Sequence, residues 1–154
     1  MERDTAEEFA AFVDDVGGRL RHALISAYGP EVGAEATADA LEYAWENWDR
    51  IYAMDNPGGY LYRTGQSKSR RYRRRPTVLP TLADSAQPWY EPGLPKALNQ
   101  LSRQQRTVVL LCHGYGWTRA EAAEMLGINA STVQRHLDRG MDKVRRALGV
   151  SDDD

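Results

Sequence analysis

Prolines divide this chain in two. Five of the seven fall between residues 76 and 95, at Pro76, Pro80, Pro88, Pro92 and Pro95, with Gly93 among them. Each proline removes a backbone donor and fixes φ, so no regular helix or central strand runs through such a stretch. The stretch reads as an extended, semi-stiff linker. Residues 1–75 and 96–150 on either side are each long enough for one small domain.

Both segments carry helical spacing. Thr5-x-x-Glu8 has the form of a capping box, and Phe9, Phe12, Val13, Val16, Leu20 and Leu24 follow at a helical period. Gly17 and Gly18 weaken that helix by about 1 kcal/mol each relative to alanine, and Tyr28-Gly29-Pro30 ends it. A second helix is expected over 33–52, with Leu41, Ala44, Trp45, Trp48, Ile51 and Tyr52 forming its inward stripe. Asn56-Pro57 is a helix start, a capping side chain before proline at the first helical position. Beyond the linker, Ala97, Leu98 and Leu101 mark a short helix. Ser102-x-x-Gln105 caps another, carrying Val108, Val109, Leu111 and Cys112, and Gly114 to Gly116 break it. Nothing reads as strand. The expected class is all-α: two small helical domains joined by a Pro-rich linker over 76–95, with residues 151–154 an acidic tail.

The most specific local pattern lies at 118–139. Thr118-x-x-Glu121 caps a short helix ending at Leu126. Gly127 suits a left-handed helix end, Ile128 plugs the turn, and Asn129 caps a helix that turns Val133 and Leu137 inward. Ala123 is small enough for the two helices to cross closely. This is the layout of a helix-turn-helix. Ser131, Thr132, Gln134, Arg135 and Arg139 then face outward, types suited to reading base edges and phosphates in the major groove. Lys143, Arg145 and Arg146 extend the basic side. A plain helical hairpin with a charged surface is the alternative.

Charge is segregated. Residues 1–62 hold 13 acids and 4 bases, residues 63–75 hold 7 bases and no acid, and the remainder holds 9 of each. Such a block of like charge suits a polyanion. Tyr60 and Tyr62 just before it and Tyr72 within it are able to stack on unpaired bases. The competing account is a solvated helix end. The acids Glu35, Asp39, Glu42, Glu46 and Asp49 share the second helix, either as a solvated face or as a docking surface.

Other classes find little support. Cys112 is the lone cysteine, which forms no internal disulfide and suggests a buried, inert thiol. His22, His113 and His136 sit in no catalytic or metal-ligating pattern, and no glycine-rich phosphate loop is present. No enzyme, metal or cofactor is expected. No apolar run approaches the ~20 residues of a membrane span, and the charged start at Met1-Glu2-Arg3-Asp4 leads into no signal segment, so a cytoplasmic location is expected.

The whole order resembles the extracytoplasmic-function sigma factors of bacterial RNA polymerase, which keep conserved regions 2 and 4 of the larger family. The strongest stretch is Leu98-x-x-Leu101-x-x-x-Gln105-Arg106-x-Val108-Val109, continuing through Ala123-x-x-Leu126-Gly127-Ile128 to Thr132-Val133. Next come Ala44-Trp45-x-x-Trp48-Asp49 and Asn56-Pro57-x-x-Tyr60-Leu61. The resemblance implies that Glu35, Asp39, Glu42, Glu46, Trp48 and Asp49 dock on the clamp of the polymerase's large catalytic subunit. It implies that Asn56, Tyr60, Arg63, Gln66, Lys68, Arg70 and Arg71 open and hold the minus-ten element. Thr118, Ser131, Thr132, Gln134, Arg135, Arg139 and Lys143 would read the minus-thirty-five element. Implied partners are core RNA polymerase, the flap of its other large subunit included, promoter DNA, and an anti-sigma factor. Where relatives carry Asp-Leu and Ala-Arg-Asn, this chain has Glu35-Ala36 and Gly65-Gln66-Ser67. Those departures motivate a second reading, a sigma-derived DNA-binding regulator that does not itself start transcription.

Overall fold

The computed structural model describes residues 4–72 and 93–150. The expected linker, Arg73 to Arg75, Trp89, Tyr90 and the acidic tail lie outside the described residues, apart from Gly93 to Pro95. Every described element is helical.

The first helix is a rod in three parts: α1 over Thr5–Phe12, a single π turn over Val13–Gly17, and α2 over Gly18–Tyr28. The wide turn falls where the paired glycines weaken the helix. Thr5 does not cap it. Asp4 does, one residue earlier, its Oδ1 accepting from the Glu7 amide at 3.2 Å. Gly29, at φ 90°, reverses the chain into α3, Pro30–Glu46, which begins three residues before the expected start. Its buried face is Val32, Gly33, Ala36, Thr37, Ala40 and Ala44. Small residues of this kind let helix backbones approach closely.

The expected helix over 33–52 is broken. Asn47, at φ −122°, interrupts it, and α4 spans only Trp48–Tyr52. The break changes the phase of the aromatic stripe. Trp48 is 4% exposed, whereas Trp45 and Tyr52, both expected inside, are each 50% exposed. Trp48 instead packs against Phe9, Phe12 and Tyr52, with ring centroids 5.1–5.4 Å apart. Next, α5 covers Pro57–Ser69, and Asn56 caps it by accepting from the Gly59 amide at 3.0 Å. Leu61, Tyr62, Gly65 and Ser69 face inward.

In the C-terminal module, α6 spans Leu94–Asn99 and α7 spans Arg103–Val109. A π turn over Leu110–Gly114 follows, then α8 over Arg119–Leu126 and α9 over Ala130–Leu148. Both capping boxes form as expected, at Ser102/Gln105 and Thr118/Glu121. Ala97, Leu101, Val109 and Val144 make a small core closed by Leu94, Leu98 and Leu148.

The modules do not stand apart. One buried cluster runs from Leu20, Leu24 and Leu61 through Val108, Leu111, Met125, Leu126 and Val133. Polar contacts cross the same boundary. Arg106 Nη2 donates to the Ala27 carbonyl at 3.1 Å, at the C-terminal, negative end of α2. The Arg103 guanidinium sits 4.8 Å from the Tyr28 ring centroid, and the His22 and Tyr115 rings stack at 4.0 Å. Arg19 pairs with Glu121 at 3.6 Å and covers the Trp117 ring.

Candidate nucleic-acid interface

The helix-turn-helix is built from local signals. Gly127 adopts φ 70°, and its amide and that of Ile128 both donate to the Ala123 carbonyl, at 3.0 and 3.1 Å. A non-glycine residue is strained there. Asn129 Oδ1 accepts from the Thr132 amide at 2.8 Å and from the Thr132 and Ser131 hydroxyls at 2.8 and 2.7 Å. One side chain thus fixes the first turn of α9 and both hydroxyls on it. Val133 is fully buried and Leu137 half-buried, which turns the opposite face outward.

On that outer face, Ser131, Arg135 and Arg139 are exposed and Thr132 half-buried. Gln134 is engaged: its Oε1 accepts from Arg119, and its Nε2 donates to Asp138 Oδ1 at 2.7 Å. Thr118 is exposed, and its hydroxyl caps α8 by accepting from the Glu121 amide at 3.1 Å. Lys143 Nζ donates to Gln105 Oε1 at 2.9 Å, so in this arrangement it is held against α7. The Glu121 carboxyl lies below its ordinary pKa, chiefly through the Thr118 backbone and hydroxyl hydrogen bonds. His136 is pushed down by partial burial and by the adjacent Arg135 and Arg139 charges.

The second surface follows α5. Arg63, Ser67 and Arg70 are exposed along it, spaced by four and three residues, and Gln66 and Lys68 are half-buried. Asn56 also donates through Nδ2 to the Glu124 carbonyl of α8 at 3.0 Å. A Cβ on Gly59 would lie 3.1 Å from that same oxygen, so the start of α5 presses directly on α8. Arg71 Nη2 pairs with Asp39 Oδ2 at 2.9 Å, and the Tyr72 hydroxyl donates to the same oxygen at 2.8 Å. One expected DNA contact is thereby tied to one expected docking acid.

Of the docking residues, Glu35, Glu42, Glu46 and Asp49 are exposed and Asp39 is half-buried. Trp48 does not belong with them. Buried among aromatic rings, it has no surface to offer a partner. Trp45, on the same helix as Glu42 and Glu46, is half-exposed. The sequence reading also passed over Tyr43 and Arg50, whose contacts with Tyr60 join α3, α4 and α5. No residue spacing marks them. Cys112 is half-buried, and burial raises its thiol pKa. Among the described residues no His, Cys, Asp or Glu group is clustered to hold a metal, and no helix is long and apolar enough to cross a membrane.

Residues 93–144 match the family model of sigma-70 region 4. No curated protein sequence matches the chain. Several solved structures share its fold, among them the following two. A co-crystal structure of the sigma factor RpoE with the anti-sigma factor NepR, from Bartonella quintana, is 20% identical with TM-score 0.62, covering 94% of this chain and 99% of that one. A structure of CnrH in complex with the cytosolic domain of CnrY is 26% identical with TM-score 0.63, covering 95% of this chain and 90% of that one.

Proposed function

We infer that this chain, a sigma factor of the extracytoplasmic-function class by its region 4 domain and two-module helical fold, brings core RNA polymerase to selected promoters. The observation that carries the reading is the pair of DNA-suited surfaces on one chain: the exposed face of α9 and the basic face of α5. In this reading Ser131, Thr132, Arg135 and Arg139 enter the major groove of the minus-thirty-five element. Arg forks onto guanine there, and the hydroxyls adapt to either base pair. Gln134 joins them once it leaves Arg119 and Asp138, and Lys143 reaches phosphate once it leaves Gln105.

Asn56, Tyr60, Arg63, Gln66, Lys68, Arg70 and Arg71 take the opened strand of the minus-ten element, where unpaired bases stack on tyrosine. The acids of α3 and α4, with Trp45 among them, dock on the polymerase clamp. The region 4 module meets the flap. Catalysis stays with the polymerase, the protein works in the cytoplasm, and an anti-sigma factor is a further partner, as NepR is of RpoE.

Asn56 donates to Glu124 in the packed arrangement, so strand capture at α5 requires the modules to part. The test is promoter-dependent run-off transcription with core polymerase, paired with capture of the polymerase on immobilised protein. Polymerase capture with a specific transcript supports the reading. DNA binding without either result assigns the chain to a regulator that does not start transcription.

A further inference from the structure

Arg50 lies outside every motif that marks the DNA-suited surfaces, yet the fold holds it in a defined place. It stands exposed on α4. It donates through Nη1 to the Tyr60 hydroxyl at 3.1 Å and through Nη2 to the Tyr43 hydroxyl. Its Cζ lies 5.8 Å from the Tyr43 ring centroid and 5.6 Å from that of Tyr60. The two hydroxyls are 3.3 Å apart. Three helices, α3, α4 and α5, thus contribute one group each.

The electrostatics of this arrangement point outward. Residues 1–62 hold 13 acids against 4 bases, but among the described residues no carboxylate pairs with Arg50. Its partners are two neutral phenols, so its charge is not cancelled locally. A guanidinium has five N–H donors, and the phenols leave most of them for another acceptor. As a purely structural tie, an exposed contact of this kind adds little to the stability of a fold. Position supplies the acceptor. Tyr60 is one turn beyond Asn56, its amide donating to the Asn56 carbonyl at 3.2 Å. The exposed residues Arg63, Ser67 and Arg70 continue from it along α5. Arg50 therefore extends the basic track of α5 onto α4.

We propose that Arg50 is a phosphate-binding residue for single-stranded DNA, its fork set by the Tyr43 and Tyr60 hydroxyls, with the Tyr60 ring taking the adjoining unpaired base. The proposal deepens the promoter reading and rests on it. Tyr43 is a positioning residue, and Arg50 and Tyr60 touch the strand.

Salt dependence separates this role from a structural one. Each phosphate neutralised on a single strand contributes about 0.7 to the slope of log K against log salt. Binding of the full chain to a fluorescein-labelled 20-nucleotide oligo(dT) is followed by anisotropy over a range of salt, with thermal melting of every variant alongside. Arg50→Gln lowers the slope by about 0.7 and weakens binding several-fold at low salt. Arg50→Lys keeps the slope but binds more weakly, because a point charge replaces a planar fork. Tyr43→Phe keeps the slope and loses a few-fold in affinity. Tyr60→Ala loses about 5- to 150-fold, as expected for one base–aromatic stack.

An unchanged slope and affinity in Arg50→Gln overturns the proposal. So does a lowered melting temperature with an unchanged slope, or failure of the wild-type chain to bind oligo(dT) at low salt. Polymerase capture keeps the two ideas apart. Capture with an Arg50-independent slope ends the phosphate role and leaves the promoter reading standing. An Arg50-dependent slope without capture does the reverse.

Discussion

Gly33→Ala should destabilise the protein, although alanine is the better helix former. Gly33 lies inside α3, where the exchange alone gains about 1 kcal/mol. A Cβ built there meets the backbone of α2, 2.4 Å from Ile25 Cα, 2.5 Å from the Ile25 nitrogen and 2.7 Å from the Leu24 carbonyl carbon. Ordinary contact begins near 3.4 Å, so α2 and α3 must separate by roughly 1 Å. No rotamer change relieves a clash with main chain. Overpacking costs about 1–3 kcal/mol and more where nothing gives, so a net loss of about 1–2 kcal/mol is expected. In a chain of this length that lowers Tm by about 2–8 °C. Gly18→Ala is the internal control. Its Cβ meets nothing within 4 Å, and φ is −64°, so the helix gain stands alone and Tm should rise by about 2–4 °C. Calorimetry of both variants decides it. If Gly33→Ala is as stable as Gly18→Ala, the α2–α3 contact does not limit the fold. The buried cluster is shared between modules, so the Gly33→Ala transition should also stay single.

Other variants probe the interfaces. Arg106→Ala removes a charged donor from the Ala27 carbonyl. Such bonds contribute about 1.5–3 kcal/mol, and half-burial favours the lower end, so amide exchange around residues 25–29 should quicken about tenfold; unchanged rates would show that the contact holds nothing. Arg135→Ala should weaken binding to a cognate promoter by about 1–3 kcal/mol while random DNA changes less, and equal losses in a competition assay would reassign Arg135 to phosphate. Asn129→Ala should cost about 1–2 kcal/mol in urea unfolding, the upper part of the capping range, because three donors lose one acceptor. His136 is held below its ordinary value of 6.5, so its contribution to stability is complete above that pH and falls as pH drops through it toward the lower folded value. His136→Gln should flatten that limb of the stability–pH curve.

What the sequence disclosed was local. The caps at Asn56, Ser102, Thr118 and Asn129 and the left-handed Gly127 were all legible, because each depends on residues three or four positions apart. The phase of the aromatic stripe was not. Helical spacing from Trp45 onward assumes unbroken turns, and Asn47 breaks them; Trp48 stays inside as expected, while Trp45 and Tyr52 lie half-exposed. Nor was the packing of the modules on one another. Arg106 and Asn56 reach across to the carbonyls of Ala27 and Glu124, and a carbonyl is present at every residue. An acceptor of that kind leaves no trace in residue identity. The same holds for Gly33, where the second helix was expected to begin and whose missing side chain serves a backbone crossing.

The acidic and basic surfaces are better treated as one electrostatic unit than as two independent sites. Arg71 and Tyr72 share Asp39, while Tyr43 and Tyr60 share Arg50, so cross-links tie α5 to both α3 and α4. Their chemistry differs. The Arg71–Asp39 pair joins opposite charges, and a DNA phosphate that takes Arg71 releases a carboxylate on α3. The Arg50 cluster joins a cation to neutral hydroxyls, and a phosphate there releases no charge. In an acidic module the first exchange carries the desolvation and repulsion of a freed acid unless a basic partner surface meets it. Binding of DNA at the end of α5 and binding of a cationic surface along α3 should therefore favour each other through Asp39. Contacts at Arg50 should be indifferent to that partner.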